Sequence, residues 1–245
     1  TPDGEVASIV AEAGNAVADA VNVVIGQAAG DVTRTQNAAG ESALGNLIAD
    51  GQRLYEGTDF AFMNPGGIRA DIYAGNVTWG DLFTVQPFGN QMVRMTMTGR
   101  QIYDVLAQQW ATPASPKMLQ ISGLTYFWTY NGSGVAGTIT SVLKDGVPID
   151  KSATYTVTTN NFLAGGGDNF TVFKSGLDQV VDAADIDVLV SYVKGLSQPF
   201  NAATEGRITR LVPPAINDPA VNVQYIRALS QPFTIAALPD TQFYA

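Results

Sequence analysis

The feature that most constrains the fold is a strand that runs directly into three consecutive glycines. Thr154–Thr159 consists of β-branched and aromatic residues, which favour an extended strand. The next segment, Asn160–Phe170, contains Gly165–Gly167, with Phe162 before the glycines and Asp168 after them. Three adjacent glycines indicate positive φ or a close backbone approach. An aromatic face and a carboxylate in one loop suit a ring that carries hydroxyls. The alternative is an ordinary turn, with Phe162 in the core and Asp168 as a cap.

Two further turns carry polar or aromatic side chains. The short apolar run Asp59–Met63 predicts a buried strand, and it is followed by an Asn-Pro-Gly-Gly turn. This turn places Asn64 and Arg69 at the carboxyl end of a strand, where ligands often bind in α/β sheets. The alternative is a surface turn with a solvated arginine. Phe88 lies between a proline and a glycine, which predicts either a satellite core residue or a side chain exposed in a cleft.

The rest of the chain alternates between helical and extended patterns. Apolar spacing predicts helices over Gly4–Val21, Glu41–Leu54, Gly99–Trp110 and Asp182–Leu196, with a short helix within Val77–Val85. Alternating or β-branched runs predict strands over Gln91–Thr98, Leu119–Tyr130, Gly137–Lys144 and Gly206–Val212. Ser42 is the predicted N-cap of the second helix, with Leu54 on its inward face. The pattern alone predicts these helices and strands. Together with the family resemblance given below, it predicts a mixed α/β domain, with helices layered on a mixed sheet and a site built from loops at strand ends.

Composition excludes several classes of function. The chain has no histidine and no cysteine, so a Ser-His-Asp triad, a Cys-His pair and a His- or Cys-ligated metal are excluded within it. A net charge of −9 disfavours sequence-independent binding to the phosphates of nucleic acid. No apolar run reaches the roughly 18 residues of a membrane helix. The start at Thr1 indicates a processed or truncated chain, and with the acidic, cysteine-free composition it favours an exported bacterial protein: secreted, periplasmic or cell-surface.

Five motifs, in order, carry a resemblance to a known family. They are Glu41–Asp50 (ESALGNLIAD), Asn64–Arg69 (NPGGIR), Pro87–Asn90 (PFGN), Ser122–Leu124 (SGL) and Asn161–Asp168 (NFLAGGGD). Together they resemble the C-terminal domain of 5′-nucleotidases, whose relatives include UDP-sugar hydrolases and 2′,3′-cyclic-nucleotide phosphodiesterases. The similarity covers about Asn22 to Leu211. Together with the sequence pattern, in which Pro213-Pro214 closes the compact part, it predicts one domain over residues 1–212, with residues 1–30 as a leading helix and strand, and a C-terminal extension or linker over 213–245.

The resemblance also implies a division of labour in a longer parent protein. In the family, an N-terminal metallophosphatase domain holds two divalent metals and performs hydrolysis, while the C-terminal domain binds the nucleoside part of the substrate. This chain therefore resembles the substrate-binding domain alone, without catalytic residues, metals or cofactors of its own. The implied partners are a nucleotide or nucleoside and the parent's N-terminal domain, and neither a nucleic acid polymer nor a membrane span is expected.

Site roles are carried over residue by residue from the resemblance. Phe88 and Phe162 resemble the aromatics that sandwich the base, which predicts two roughly parallel rings facing each other across one cleft. Asp168 resembles the acid that takes the ribose hydroxyls, Arg69 the arginine that contacts ribose and phosphate, and Asn64 the asparagine that contacts the base. Gly166 and Gly167 belong to the same substrate-binding loop.

The sequence departs from the family pattern at three places. Many members have glycine where Pro65 stands, and glycine where Asn169 stands. Members also often carry an arginine close before the Glu41 position, and here Arg34 is the nearest candidate for that second phosphate contact.

A second hypothesis from a different class stays open: a non-catalytic cell-surface or interaction module that keeps the fold. The substrate among nucleotides, cyclic nucleotides and UDP-sugars is also left open, because stacking tolerates any base.

Overall fold

The computed structural model describes residues 3–130 and 136–212, and the predicted extension over 213–245 lies outside them. The α-helices are α1 Gly4–Val21, α2 Ala43–Glu56, α3 Trp79–Val85, α4 Gly99–Ala107, α5 Asn161–Ala164 and α6 Asp185–Gly195. The strands are β1 Val24–Ala28, β2 Phe60–Met63, β3 Gly75–Thr78, β4 Gln91–Thr98, β5 Gln120–Ser122, β6 Thr125–Tyr130, β7 Gly137–Lys144, β8 Val147–Pro148, β9 Thr154–Asn160, β10 Leu177–Ala184 and β11 Ile208–Arg210. Short 3-10 helices cover Pro65–Gly67, Gln108–Trp110, Gly167–Asn169 and Thr171–Ser175.

Hydroxyl side chains fix where three of the helices begin. Ser42 caps α2, as predicted, by accepting a hydrogen bond from the Gly45 amide at 3.1 Å. Thr78 and Thr98 begin α3 and α4 with reciprocal capping boxes, in which the third helical residue returns a hydrogen bond to the cap. Each cap satisfies amides that the first helical turn leaves unpaired, which stabilises a helix by about 1 kcal/mol.

The mixed α/β fold predicted from the sequence is confirmed. The central sheet has the order β10-β4-β9-β2-β5, and two smaller sheets have the orders β1-β3 and β11-β6-β7-β8. One hydrophobic core packs α4 and the sheet containing β6 against the central sheet. A second core joins α2, α3 and α6 to the two-stranded sheet. The central sheet is therefore covered on both faces, which leaves its edges and strand ends for binding.

The strand order brings the three sequence turns to one edge of the central sheet. β2 and β9 are parallel, with Phe60 opposite Val157, so their carboxyl ends lie side by side. The Asn160 side chain, at the end of β9, donates a hydrogen bond to Asn64 Oδ1 at 2.9 Å, just beyond β2. β4 runs antiparallel to β9 and begins at this same edge, with Met92 opposite Asn160. The loop before β4 therefore meets the loops that follow β2 and β9.

Several predicted elements differ from the structure. The single strand predicted over Leu119–Tyr130 is two strands, because Gly123 adopts φ +81° between β5 and β6. The helix predicted from Asp182 begins at Asp185, after the unpredicted edge strand β10. Leu54, predicted to face inward, is 56% exposed because it lies on the outer side of α2. Among the described residues, no helix combines the length and apolar character needed to cross a membrane.

Candidate functional site

The edge where the three turns meet contains a cleft of about 420 Å³. This volume is within the usual range for small-molecule sites. The cleft is lined by Asn64, Gly66, Gly67, Phe88, Asn90, Phe162 and Asp168. The predicted site residues Asn64, Phe88, Phe162 and Asp168 are thus brought together, although about a hundred residues separate the first from the last along the chain. The lining is mostly apolar, with a few convergent polar groups, as in a site for a small organic ligand.

Two phenylalanines offer exposed ring surface to this cleft. Phe88 is 59% exposed and Phe162 is 45% exposed, so neither is a core residue. Phe88 lies in the turn between α3 and β4, where Gly89 adopts φ +60°. Phe162 lies on α5, whose N-cap Asn160 accepts a hydrogen bond from the Leu163 amide at 2.9 Å. Rings of this kind at a concave site have faces free for stacking on a planar ligand.

Asp168 is the acidic group of the cleft, and its backbone is strained. It adopts φ +57°, a left-handed conformation that is uncommon outside glycine. Its Oδ2 accepts a hydrogen bond from Asn64 Nδ2 at 3.2 Å, and its Oδ1 forms an ion pair with Lys117. The Asp168 side chain is 17% exposed. The loop therefore holds a carboxylate at the cleft wall, with two donors fixing its direction.

The two arginines predicted for the site lie beside the cleft rather than in its wall. Arg69 is exposed, donates to the Gly66 carbonyl at 3.4 Å, and has its guanidinium carbon 5.9 Å from the centre of the Phe88 ring. Arg34 donates to the Ile68 carbonyl at 3.1 Å and lines a neighbouring shallow depression. Both guanidinium groups therefore flank the turn after β2, and they form a cationic rim next to the aromatic cleft.

Gly166 and Gly167 shape the loop and do not themselves line the cleft. Gly166 adopts φ +84°, and a Cβ there would lie 2.4 Å from the Lys174 side chain. A Cβ on Gly167 would lie 2.5 Å from the Phe162 ring, so the bare backbone packs against that ring. Both glycines act through close approach, which supports the position of Phe162 and Asp168.

Sequence reasoning missed two polar residues of the site. Asn90 lines the cleft, and it belongs to the Pro-Phe-Gly-Asn motif in which only the phenylalanine was assigned a role. Lys117 reaches Asp168 from a proline-containing loop in which no ligand-binding pattern is visible. Motif membership gives a signal for Asn90, whereas Lys117 is brought in only by the tertiary fold.

A buried carboxylate belongs to a residue that contacts the Asn90 backbone. Asp185 is 1% exposed, and neither of its carboxylate oxygens has a hydrogen-bond partner within the described part of the chain. Its backbone amide donates to the Asn90 carbonyl at 2.8 Å. Burial raises the pKa of Asp185 to about 6, and the neighbouring side chain and backbone of Asn90 act in the opposite direction. Desolvation, the largest effect, thus disfavours the charged form of Asp185.

The side chains in and beside the cleft offer three kinds of contact. The aromatic faces match a planar base, the carboxylate matches ribose hydroxyls, and the neighbouring guanidinium groups match a phosphate. Among residues 3–130 and 136–212, no group of three or more histidine, cysteine, aspartate or glutamate side chains is positioned to hold a metal ion.

Comparison with known proteins gives a consistent result. The sequence profile described as "5'-nucleotidase, C-terminal domain" matches residues 24–175, more than half of the chain. Endonuclease YhcR of Bacillus subtilis is 36% identical over 220 residues, and cell wall protein Lmo0130 of Listeria monocytogenes is 35% identical over 231. The crystal structure of a 5'-nucleotidase precursor from Thermus thermophilus matches with a TM-score of 0.72 and 35% identity.

These relatives are longer than the present chain. The match with YhcR covers 89% of this chain but 18% of the relative, and that with Lmo0130 covers 84% and 29%. The Thermus thermophilus match covers 89% of this chain and 45% of that protein. The chain thus corresponds to one part of each relative.

Proposed function

The chain belongs to the 5'-nucleotidase C-terminal domain family, and on this premise we propose that it binds the nucleoside part of a nucleotide and positions the phosphate for hydrolysis by an N-terminal domain. The observation that carries the proposal is the single cleft shared by Phe88, Phe162, Asn64 and Asp168. Four residues from three turns, each suited to one part of a nucleoside, converge there.

Each part of the cleft has a proposed partner on the ligand. The base stacks on Phe88 and Phe162, an interaction worth about 1–3 kcal/mol per base. The ribose hydroxyls donate to Asp168, whose charge strengthens these hydrogen bonds. The phosphate lies towards Arg69, with Arg34 as a second contact, because a guanidinium fork matches phosphate oxygens. Gly166 and Gly167 support this geometry through the loop backbone.

The chemistry of hydrolysis is proposed to lie outside this chain. The resemblance implies two divalent metals held by an N-terminal domain, in part through histidine, and the present sequence has no histidine. The parent protein is then a phosphoric ester hydrolase of the 5'-nucleotidase type. In this arrangement the present domain supplies affinity and orientation, and the other domain supplies the metal-activated nucleophile.

A location outside the cytoplasm is part of the proposal. One of the similar proteins is described as a cell wall protein, which fits a secreted or cell-surface parent. The same description supports the alternative function, a non-catalytic surface module that retains the fold. The sequence of the parent protein distinguishes the two hypotheses. An upstream segment with histidine and aspartate metal motifs supports the hydrolase, and the absence of such a segment supports the non-catalytic module.

A binding titration tests the proposed function directly. The 245-residue chain is titrated with adenosine, AMP, UMP and UDP-glucose, followed by heat release or intrinsic fluorescence. We expect saturable binding of adenosine, with tighter binding of AMP because the cationic rim adds a phosphate contact. Absence of binding by every one of these ligands would contradict the proposal. Equal affinity for adenosine and AMP would contradict the phosphate contact proposed for Arg69 and Arg34, but not the binding of the nucleoside.

A further inference from the structure

The carboxylate of Asp168 is held by two donors that come from different parts of the fold. Asn64, which follows β2, donates from Nδ2 to Asp168 Oδ2 at 3.2 Å, whereas Lys117 forms an ion pair with Asp168 Oδ1. An ionised carboxylate has about four accepting sites, two on each oxygen. The two protein donors therefore leave each oxygen of Asp168 able to accept from a further donor.

The donor on Oδ2 is fixed by a buried asparagine of the central sheet. Asn160, at the end of β9, is 0% exposed, and its Nδ2 donates to Asn64 Oδ1 at 2.9 Å. The Oδ1 atom of Asn160 accepts from the Leu163 amide, so a rotation of this side chain would break the cap of α5. With its acceptor end held by Asn160, Asn64 turns its donor end towards Asp168.

The donor on Oδ1 is anchored independently, by the segment that leads into β5. The Lys117 amide donates to the Gln109 carbonyl at 2.9 Å, and the Leu119 amide donates to Gln109 Oε1 at 2.7 Å. Gln109 is 1% exposed, so the backbone that carries Lys117 is fixed against a buried residue. Lys117 is not among the residues that line the cleft. Its amino group therefore reaches Asp168 without occupying the ligand space.

Folding stability does not account for this ion pair. The Lys117 side chain is 41% exposed, and ion pairs with such access to solvent contribute little to stability. The backbone of Asp168 is nevertheless left-handed, at φ +57°, and such strain persists where the surroundings hold a residue in place. The effect of the ion pair is therefore expected in ligand binding rather than in the stability of the domain.

We propose that Lys117 is a positioning residue that, together with Asn64, holds the Asp168 carboxylate so that both oxygens accept from the cleft, and that the site thereby selects ligands with two vicinal hydroxyls. One hydroxyl can donate to each oxygen, whereas a ligand without hydroxyls leaves these accepting sites unused. This inference rests on the proposed nucleoside-binding function. It assigns part of the sugar specificity to a lysine outside the cleft and outside the five sequence motifs.

The test compares adenosine with 2′,3′-dideoxyadenosine, two uncharged ligands that differ only in the hydroxyl pair. The wild-type chain is expected to bind adenosine about 10- to 100-fold more tightly, the value of charge-assisted hydrogen bonds. Lys117→Met keeps most of the aliphatic stem and removes the charge. Binding must then order the carboxylate, so adenosine affinity should fall about 3- to 10-fold. Affinity for dideoxyadenosine should stay within about 2-fold of wild type, because this ligand does not use the carboxylate.

Two further variants separate positioning from a general effect of charge. Lys117→Arg keeps a cation that pairs with carboxylate oxygens, so it should retain the adenosine preference to within about 2-fold. Lys144→Met is the matched control, because Lys144 forms a comparable, partly exposed ion pair with Asp59 outside the cleft. The control should keep both affinities. The melting temperatures of the three variants should lie close to that of wild type.

Several outcomes would overturn the inference. An unchanged adenosine affinity in Lys117→Met would show that the lysine has no role in binding, and a higher affinity would show that it competes with the ligand for Asp168. An equal loss for both nucleosides, or the same loss in Lys117→Arg or Lys144→Met, would exclude positioning by the charge. A Lys117→Met chain that melts far earlier than Lys144→Met would make Lys117 a structural residue.

The wild-type titrations distinguish this inference from the proposed function. A chain that binds adenosine and dideoxyadenosine equally would contradict the role of Lys117 and Asp168 and leave nucleoside binding intact. A chain that binds neither ligand would contradict the proposed function together with the inference.

Discussion

At the scale of single residues, the two cleft phenylalanines give the most direct prediction. Phe88→Ala and Phe162→Ala should each weaken binding of purine and pyrimidine nucleosides alike, by about 1–3 kcal/mol, because stacking does not depend on base identity. Thermal stability should change much less than the roughly 3–5 kcal/mol expected for emptying a buried aromatic site, since both rings are strongly exposed. Titration and thermal melting of each variant measure the two effects separately.

Phe83→Ala provides the control for this pair. Phe83 is 40% exposed and stacks on Trp79 at a centroid distance of 5.1 Å, outside the lining of the cleft. Its removal should leave nucleoside affinity unchanged. A Phe162→Ala chain that binds nucleosides normally but melts far earlier would show that Phe162 is a core residue after all. The parallel sandwich of Phe88 and Phe162 itself stays a prediction, to be read from a structure with bound nucleoside.

Asp168 gives a second prediction at the residue scale. Asp168→Ala should weaken adenosine binding by about 1.5–3 kcal/mol, the usual cost of losing a charge-assisted hydrogen bond. The loss should be much smaller for 2′,3′-dideoxyadenosine, which has no hydroxyl to donate. Asp59→Ala is the control, because Asp59 also pairs with a lysine, Lys144, but lies outside the cleft. An equal loss for both nucleosides would mean that Asp168 only shapes its loop.

The site residues differ in how far the sequence alone could predict them. Phe88, Phe162 and Asp168 lie in turns rich in glycine. A large or charged side chain in such a turn indicates a role other than packing in the core. Lys117 and Asp185 carry no such signal, because their contacts are with Asp168 and Asn90, which are distant along the chain. Whether a carboxylate such as Asp185 is buried and unpaired depends on the packing of α6 against the loop before β4, and no local pattern encodes that contact.

At the scale of secondary-structure elements, local periodicity predicted most segments but missed β10. Its residues Leu177–Ala184 mix acids with valines, and Asp178 adopts φ +53° within it. Among the described strands it pairs with β4 alone, through an irregular register, and Leu177, Val180 and Val181 are exposed. An edge strand held by one neighbour needs no regular alternation of polar and apolar residues, which is why the alternation was absent.

The break between β5 and β6 yields the element-scale prediction. Gly123 adopts φ +81°, and a Cβ there would lie 2.0 Å from the Asp59 carbonyl oxygen. Gly123→Ala should therefore lower the free energy of unfolding through both backbone strain, about 1–2 kcal/mol, and overpacking, about 1–3 kcal/mol. Gly146→Ala isolates the first effect, because Gly146 has φ +78° but, its chain neighbours aside, no atom in the described part of the chain lies within 4 Å of the added Cβ.

Urea unfolding of the two glycine variants distinguishes these contributions. Gly146→Ala should show only the smaller loss, and Gly123→Ala the larger one. Equal losses in both variants would mean that the close approach between Gly123 and Asp59 relaxes at little cost. The sequence pattern predicted one continuous strand here because the single glycine was not taken as a break, although glycine is the residue that adopts positive φ most readily.

At the scale of the whole molecule, the topology explains how distant motifs form one site. The parallel pairing of β2 with β9 and the antiparallel pairing of β9 with β4 place three loops at one edge. Helices on both faces hold these strands in register, so the loops can keep strained residues such as Asp168. The family resemblance predicted this assembly, whereas composition and periodicity alone predicted only the elements.

The division of labour proposed for the parent gives the last prediction. The purified 245-residue chain should bind nucleosides yet show no hydrolysis of AMP, even with added Mn²⁺ or Zn²⁺, because the imidazole ligands implied for the family's metal site have no counterpart in a sequence without histidine. Release of inorganic phosphate measures this outcome. Asp168→Ala purified in the same way identifies contamination, since a contaminating phosphatase is indifferent to this cleft. Metal-dependent turnover that falls in parallel with nucleoside affinity in Asp168→Ala would contradict the prediction and place catalysis within this chain.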